Sequence, residues 1–286
     1  MFSFFIQLLP FSNMINNILF IQNHSNLSYD VEENQFINRT YINDFYDDDN
    51  HYIINQPNHI INNNYNDNYP ESIDWRDYHK VSSIKNQLSC GGCWAFSASE
   101  AVESKWAIDN NILYNLSQQE LIDCSGEYGN HGCKGGSMDY AFQYIIDNGL
   151  CTNISYPYTA SEGECMKDQC ESVIKINNYS NIIPNNENIL KKVVALQPVS
   201  VAIQANKRSF QFYKSGIYSD LDCGTQLDHG VLIIGYGYDY LYNMKYWIVK
   251  NSWGPSWGEN GYIRILRDID DSRGLCGIAM QPSIPI

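Results

Sequence analysis

The chain has 286 residues, 44% of them hydrophobic and 17% charged, with a formal net charge of −14. This composition supports a sizeable buried core and excludes wholesale disorder. Residues 1–68 and residues 69–286 each carry −7 of that charge, so neither part offers an electrostatic footprint for nucleic acid or an anionic membrane.

Residues 1–68 read as a leader. MFSFFIQLLPF is apolar but lacks the basic flank and clear cleavage site of a secretory signal, and no run is long enough to span a bilayer. The Asn- and Asp-rich stretch that follows, ending in NNNYNDNYP, buries too little apolar surface to offset its ordering entropy and reads as a solvated linker. Beyond it, periodic segments around 93–107, 117–123 and 137–148 predict helices in a first half of about 69–180. VSVAIQA, VLIIGYGY, YWIVKNS and GYIRIL predict strands of a twisted sheet or partial barrel in a second half of about 181–286. A cleft between such halves is a common place for a site.

The chemistry concentrates at NQLSCGGCWAFSASE. Cys93 opens the first predicted helix, where unpaired N–H groups and the positive end of the macrodipole favour a thiolate over a thiol. Its base must come from six histidines. His24, His51 and His59 fall in the leader, His79 in a polar loop, and His131 among glycines in GNHGCKGG. His229 is the strong candidate, because it directly precedes the apolar run VLIIGYGY and so sits on a rigid strand. A third group normally orients such a base. Asn251 in WIVKNSWG supplies an amide at the end of another strand, and Trp253 would shield an Asn–His hydrogen bond from water. Gln87 and the Cys93 backbone N–H form two donors for a developing oxyanion. From these residues alone a second reading stands open: Cys90-Gly-Gly-Cys93 at a helix start also fits a thioredoxin-like dithiol.

The ordered set YPESIDWR, NQLSCGGCWAFS, NLSQQELIDC, GCKGGSMDYAFQYIIDNG, YPYTA, QPVSVAIQA, LDHGVLIIGYG, KNSWGPSWGENGYIRI and LCGIAM resembles a papain-family, cathepsin L-like cysteine protease over residues 69–286. The resemblance implies an α+β, papain-like two-lobed fold, with a helical lobe, an antiparallel barrel-like lobe and the active-site cleft between them. It implies Cys93, His229, Asn251 and Gln87 as the catalytic set. Gly135 and Gly136 would form a wall along which substrate backbone runs, with Asp228 and Trp253 beside the base. Ser137, Met138, Ala202, Leu227 and Gln281 would line the pocket for the residue two before the cut, favouring an apolar side chain, with neutral Gln281 at its base disfavouring arginine. The chain departs from the family at Gly92 and at Leu88, where glycine is usual, and the Leu88 side chain is expected to displace the Gln87 amide. A catalytically inactive, peptide-binding pseudoprotease is the reading this departure invites.

With Cys93 set aside, eight cysteines remain, an even number suited to an oxidising compartment. The resemblance pairs Cys90 with Cys133, Cys124 with Cys165 and Cys223 with Cys276, which leaves Cys151 and Cys170 as a fourth pair or two free thiols. Sequons at Asn23, Asn26, Asn38, Asn115, Asn153 and Asn178 agree with secretory passage and with an endolysosomal or extracellular location. Met14, Asn17 and Ile21, then Asn34, Phe36 and Asn38, resemble parts of the family's pro-segment. The leader is therefore expected to act as an inhibitor held by apolar anchors such as Phe36 and Tyr41 rather than by salt bridges, and to be short for such a region. The implied partners are peptide or protein substrates, the chain's own pro-segment and cystatin-like inhibitors, acting on a monomer. No metal or organic cofactor is implied.

Overall fold

The computed structural model describes residues 28–32, 34–35, 60–61 and 69–286. Met14, Asn17, Ile21, Phe36, Asn38, Tyr41 and the three leader histidines lie outside that set. The helices begin and end where local chemistry dictates. α1 (Cys93–Asn110) stops at Asn111, whose φ of 58° lies in the left-handed region that asparagine tolerates. α2 (Gln118–Cys124) is capped by the Ser117 side chain, which accepts from Glu120 N, and α3 (Met138–Asn148) by Ser137, which accepts from Asp139 N. Each cap satisfies a backbone N–H that the first turn leaves unpaired. α1 is buried on nearly every side, polar residues Ser97, Glu100 and Glu103 included, because α2, α3 and strands of the sheet all pack against it.

The strands are β1 (Tyr29–Val31), β2 (Ile60–Ile61), β3 (Ile73–Asp74), β4 (Tyr179–Ile182), β5 (Val199–Ile203), β6 (Tyr213–Tyr218), β7 (His229–Asp239), β8 (Met244–Lys250), β9 (Tyr262–Leu266) and β10 (Ser283–Pro285). They join in the order β1-β6-β9-β8-β7-β5-β10-β4-β2, with β3 pairing β7 off that path. The sheet is antiparallel-rich, as expected, with two pairs that run parallel, β6–β9 and β2–β4. β6 and β9 are separated by the β7–β8 hairpin, so no tight turn forces them to oppose each other. Two short helices, α4 (Glu187–Val194) and α5 (Arg208–Gln211), also interrupt the half read as strands. β3, from the half read as helical, enters the sheet.

β7 explains how the two cores meet. Its period of two sends Val231 and Ile233 into a core shared with Phe210, Trp247 and Trp257, and Leu232 and Ile234 into the core built on α1 with Trp94, Phe142 and Ile145. A strand buried on both faces must read as a continuous apolar run, and VLIIGYGY does. Among the described residues, no helix is long and apolar enough to cross a membrane.

Candidate active site

Cys93 is the first residue of α1, and His229 is the first residue of β7. The helix is tied to the sheet just behind the sulfur: Ser97 Oγ donates to Val231 O at 2.7 Å, and Ser200 Oγ donates to Ser97 O at 3.0 Å. Gly230 permits the approach. A Cβ there would stand 3.3 Å from the Cys93 carbonyl and from Met138 Sδ, tighter than most side chains accept. Trp94 anchors the same turn through Nε1, which donates to Gly132 O at 3.2 Å.

The His229 ring is fixed on one side by Asn251, whose Oδ1 lies 2.7 Å from Nε2 and also accepts from Ser252 N at 2.8 Å. Trp253 stacks on the imidazole, centroids 4.7 Å apart and planes 29° from parallel, and so covers that bond. Nδ1 is buried without a hydrogen bond, which leaves it as the nitrogen for proton exchange. Burial pushes the imidazole down to about 4, with the Asn251 hydrogen bond opposing the fall. A charged ring in this site therefore needs a negative partner. Transfer of the Cys93 proton to His229 would create both charges together, each the counter-ion of the other.

Gln87 is buried and held at four points. Its Oε1 accepts from Ser252 Oγ at 2.7 Å, its Nε2 donates to Cys90 O at 3.0 Å, its N–H donates to Ser252 O at 2.8 Å, and its carbonyl accepts from Tyr158 Oη at 2.6 Å. One Nε2 hydrogen remains for an incoming oxyanion. Tyr158 in turn meets Phe96 edge-on at 5.0 Å, and burial followed by the nearby Cys93 pushes its phenol up. Sequence reasoning missed Ser252, Tyr158 and Gly230. Ser252 and Gly230 adjoin named residues, but nothing in their local pattern marks a clamp or a close approach.

Leu88 corrects an expectation. It adopts φ of 54°, the conformation that favours glycine, but its side chain is 58% exposed, and its N–H is taken by Asn86 Oδ1 at 2.9 Å. The cost falls on the backbone, and the Gln87 amide keeps its bonds to Ser252 and Cys90. At the other departure, Gly92, a Cβ would come within 2.9 Å of Ile122 Cδ1, so glycine suits the local packing. Gly136 has an internal reason as well: its missing Cβ direction is filled by Asn130 Oδ1 at 2.4 Å and Trp94 at 2.8 Å. Gly135 has φ of 116°.

Met138 and Ala202 are buried, Leu227 and Ser137 half-buried, and Gln281 exposed. Gln281, expected at the base of the pocket, is thus open to solvent. Met280 is the residue that closes on Leu227, their side chains lying 2.9 and 2.8 Å from where a Gly277 Cβ would be. Asp228 ties β5 to β7, its Oδ1 accepting from Ala205 N at 2.6 Å. His131 and His79 are exposed.

All four expected disulfides are present: Cys90–Cys133, Cys124–Cys165, Cys151–Cys170 and Cys223–Cys276. Cys93 is the one cysteine outside a disulfide. The dithiol reading fails here, because Cys90 is bonded to Cys133 instead of facing Cys93.

The leader also reaches this site. β1 pairs antiparallel with β6, Tyr29 is buried against Tyr218 with centroids 4.8 Å apart, and Gly216 makes room for it, since a Cβ there would lie 2.4 Å from Ser28 O. Asn34 Nδ2 donates to Gln211 O at 2.7 Å, and Gln35 Nε2 to Trp253 O at 3.2 Å. Tyr29 is therefore a buried anchor that sequence reasoning passed over. An ion pair also contributes, Glu32 with Lys214 at 2.5 Å, although its exposure makes it worth little.

A profile of the papain family of cysteine proteases matches residues 69–286. The chain belongs to that family. Vignain from Ricinus communis is 51% identical over 222 residues, covering 77% of this chain and 61% of vignain. The chain thus spans about three-fifths of that relative's length. Among solved structures, the proform of the ragweed pollen cysteine protease Amb a 11 superposes with a TM-score of 0.88 at 37% identity, covering 97% of this chain and 80% of its own. Recombinant stem bromelain precursor gives 0.86 at 38% identity, covering 99% and 94%. The chain shares its papain-like α+β fold with both of these structures.

Proposed function

We propose that the chain is a cysteine endopeptidase whose catalytic groups are Cys93, His229, Asn251 and Gln87. The observation that carries this is the His229–Asn251 bond, stacked under Trp253, with the adjoining Gly230 set against the carbonyl of Cys93, the one cysteine outside a disulfide. The Cys93 thiolate attacks the scissile carbonyl carbon, and the carbonyl π electrons move to oxygen, where Gln87 Nε2 and the Cys93 N–H donate to the oxyanion. Collapse expels the amine, which takes its proton from His229, and leaves a thioester. His229 then removes a proton from water, the hydroxide adds to the thioester, and Cys93 departs as thiolate. Asn251 orients the ring throughout. Cys93→Ala should abolish cleavage of a peptide substrate while the circular dichroism spectrum stays native, and undiminished turnover would sink the reading.

The apolar surfaces of Met138, Ala202 and Leu227 support a preference for Leu, Phe or Val two before the cut. A library selecting acidic residues there would refute it. β1 docked on β6, with Gln35 at Trp253, and the related proform structures support the leader as an inhibitor. Four disulfides and exposed sequons such as Asn115 favour passage through an oxidising secretory or endolysosomal compartment as a glycoprotein. Cystatin-like inhibitors would then be natural partners. Self-cleavage near Tyr69 in mild acid is expected of the full chain and not of its Cys93→Ala form.

A further inference from the structure

Behind the reacting groups lies a buried ion network that the chemistry above does not use. Lys250 Nζ stands 3.0 Å from Glu100 Oε1 and donates to Ser82 Oγ at 2.9 Å. Ser82 Oγ donates to Glu103 Oε2 at 2.5 Å, and Lys85 Nζ pairs with Glu103 Oε1 at 2.5 Å. Lys250, Glu100 and Glu103 are at most 2% exposed, and two carboxylates balance two ammonium groups.

The placement of these four charges follows the catalytic set. Lys85 is two residues before Gln87, Glu100 is seven residues, two helical turns, after Cys93, and Lys250 immediately precedes Asn251. Three separate segments carry the oxyanion donor, the nucleophile and the orienting amide; the first and third each send one lysine, and the helix two glutamates, into the same buried cluster. The two glutamates differ in what they hold. Glu103 also accepts from Leu116 N at 2.7 Å, so it fastens a loop as well as Lys85. Glu100 serves Lys250, joining α1 directly to the end of β8.

We propose that Glu100 and Lys250 are positioning residues: their ion pair holds the end of β8 in register with α1, and so keeps Asn251, and through it His229, aligned with Cys93. The proposal rests on the peptidase reading. Apolar packing at this junction would hold the two elements together without fixing how they slide, whereas sliding a buried ion pair apart leaves two uncompensated charges in the interior. The pair is also sensitive to pH. Burial pushes the Glu100 carboxyl up, opposed by Lys250 and Lys85 and aided by Glu103, and burial pushes the Lys250 ammonium down, opposed chiefly by Glu100. The other group facing Glu100 is Tyr262, whose ring lies 4.4 Å from the Arg76 guanidinium. Because its folded pKa is raised, Glu100 takes up its proton at a higher pH than an exposed carboxylate would, and Lys250 then loses its counter-charge.

The test is the double variant Glu100→Val with Lys250→Met, assayed on the full chain after processing, with active sites counted by a cysteine-directed peptide electrophile. Exchanging a buried ion pair for apolar side chains is often neutral or stabilising, so a native or higher Tm is expected. With it should come a kcat reduced about tenfold per titrated site and a KM changed less than twofold. Full kcat in the folded double variant would overturn the proposal, since a merely structural pair is replaceable. Glu100→Gln, which keeps the volume, is the second arm: lowered kcat at neutral pH and loss of one acid limb from the kcat profile are expected, and an unchanged profile overturns the proposal. Wild-type protein that turns over no peptide would instead sink the peptidase reading and this proposal with it, an outcome the titration of Cys93 identifies separately.

Discussion

The two sides of the cleft hold their reacting groups by different means. The side carrying Cys93 has long stretches without regular structure between 111 and 176, and three of the four disulfides fall there. The side carrying His229 has strands paired across long sequence distances, an aromatic cluster of Phe210, Tyr213, Tyr218, Trp253 and Trp257, and one disulfide. A loop-rich layer buries too little to fix itself, and cross-links lower the entropy of its unfolded ensemble. A sheet with its ladder satisfied and its rings packed has less need of them. The nucleophile is thus held by a covalently stapled layer and the base by a hydrogen-bonded one.

That contrast is broken most strongly by removing a staple. Replacing Cys124 and Cys165 by serine should cost about 2–4 kcal/mol in urea unfolding. Hydrogen exchange should then rise across 111–176, while β5, β7 and β8 stay protected. Equal exchange in both regions would erase the distinction. On the base side, Asn251→Ala should lower kcat about tenfold to a hundredfold with little change in KM, because the ring loses its orientation but not its proton chemistry. A fall in KM alone would argue against that role.

The His229 titration sharpens the comparison further. In Cys93→Ala the sulfur is gone, and the imidazole should remain neutral down to about 4, as burial dictates, when followed by NMR. With a folded pKa below the unfolded value, its contribution to stability is fully present above about 6.5 and is lost as pH falls toward the folded value. A variant imidazole titrating at 6.5 or above would contradict burial as the cause. The smallest effect expected is from Leu88→Gly, which should stabilise the fold by about 0.5–1 kcal/mol in thermal unfolding by relieving the positive φ. It should leave kcat unchanged, since the Gln87 amide is gripped by Ser252 and Cys90 rather than by its neighbour. A gain in kcat would show that Leu88 does disturb the oxyanion donors.

Much of this was legible beforehand. Helix α1 could be placed from the run of small residues after Cys93, and β7 from its unbroken apolar stretch, because both patterns reflect burial that any fold must provide. Leu88 was misjudged because sequence shows that a side chain has replaced hydrogen but not which way the backbone turns it. The exposure of Gln281 was not legible, since the chain path after Gly277 has no periodicity. Tyr29 lay in a leader whose composition speaks of solvation, and its burial depends on an aromatic socket supplied by residues more than 180 positions away.

By itself, the sequence singled out the candidate reacting residues. Cys93, His229, Asn251 and Gln87 are identified by chemical type and immediate context, and a thiol at a helix start or an imidazole before a buried strand is a local fact. Tertiary structure alone decided what holds those groups in place: the Ser252 clamp on Gln87, the Tyr158 bond to its carbonyl, the bare Gly230 against Cys93 and the ion network joining Lys250 to Glu100. Each of these joins segments far apart in the chain, and a contact between distant segments is set by how the sheet packs against one helix, which no local pattern encodes.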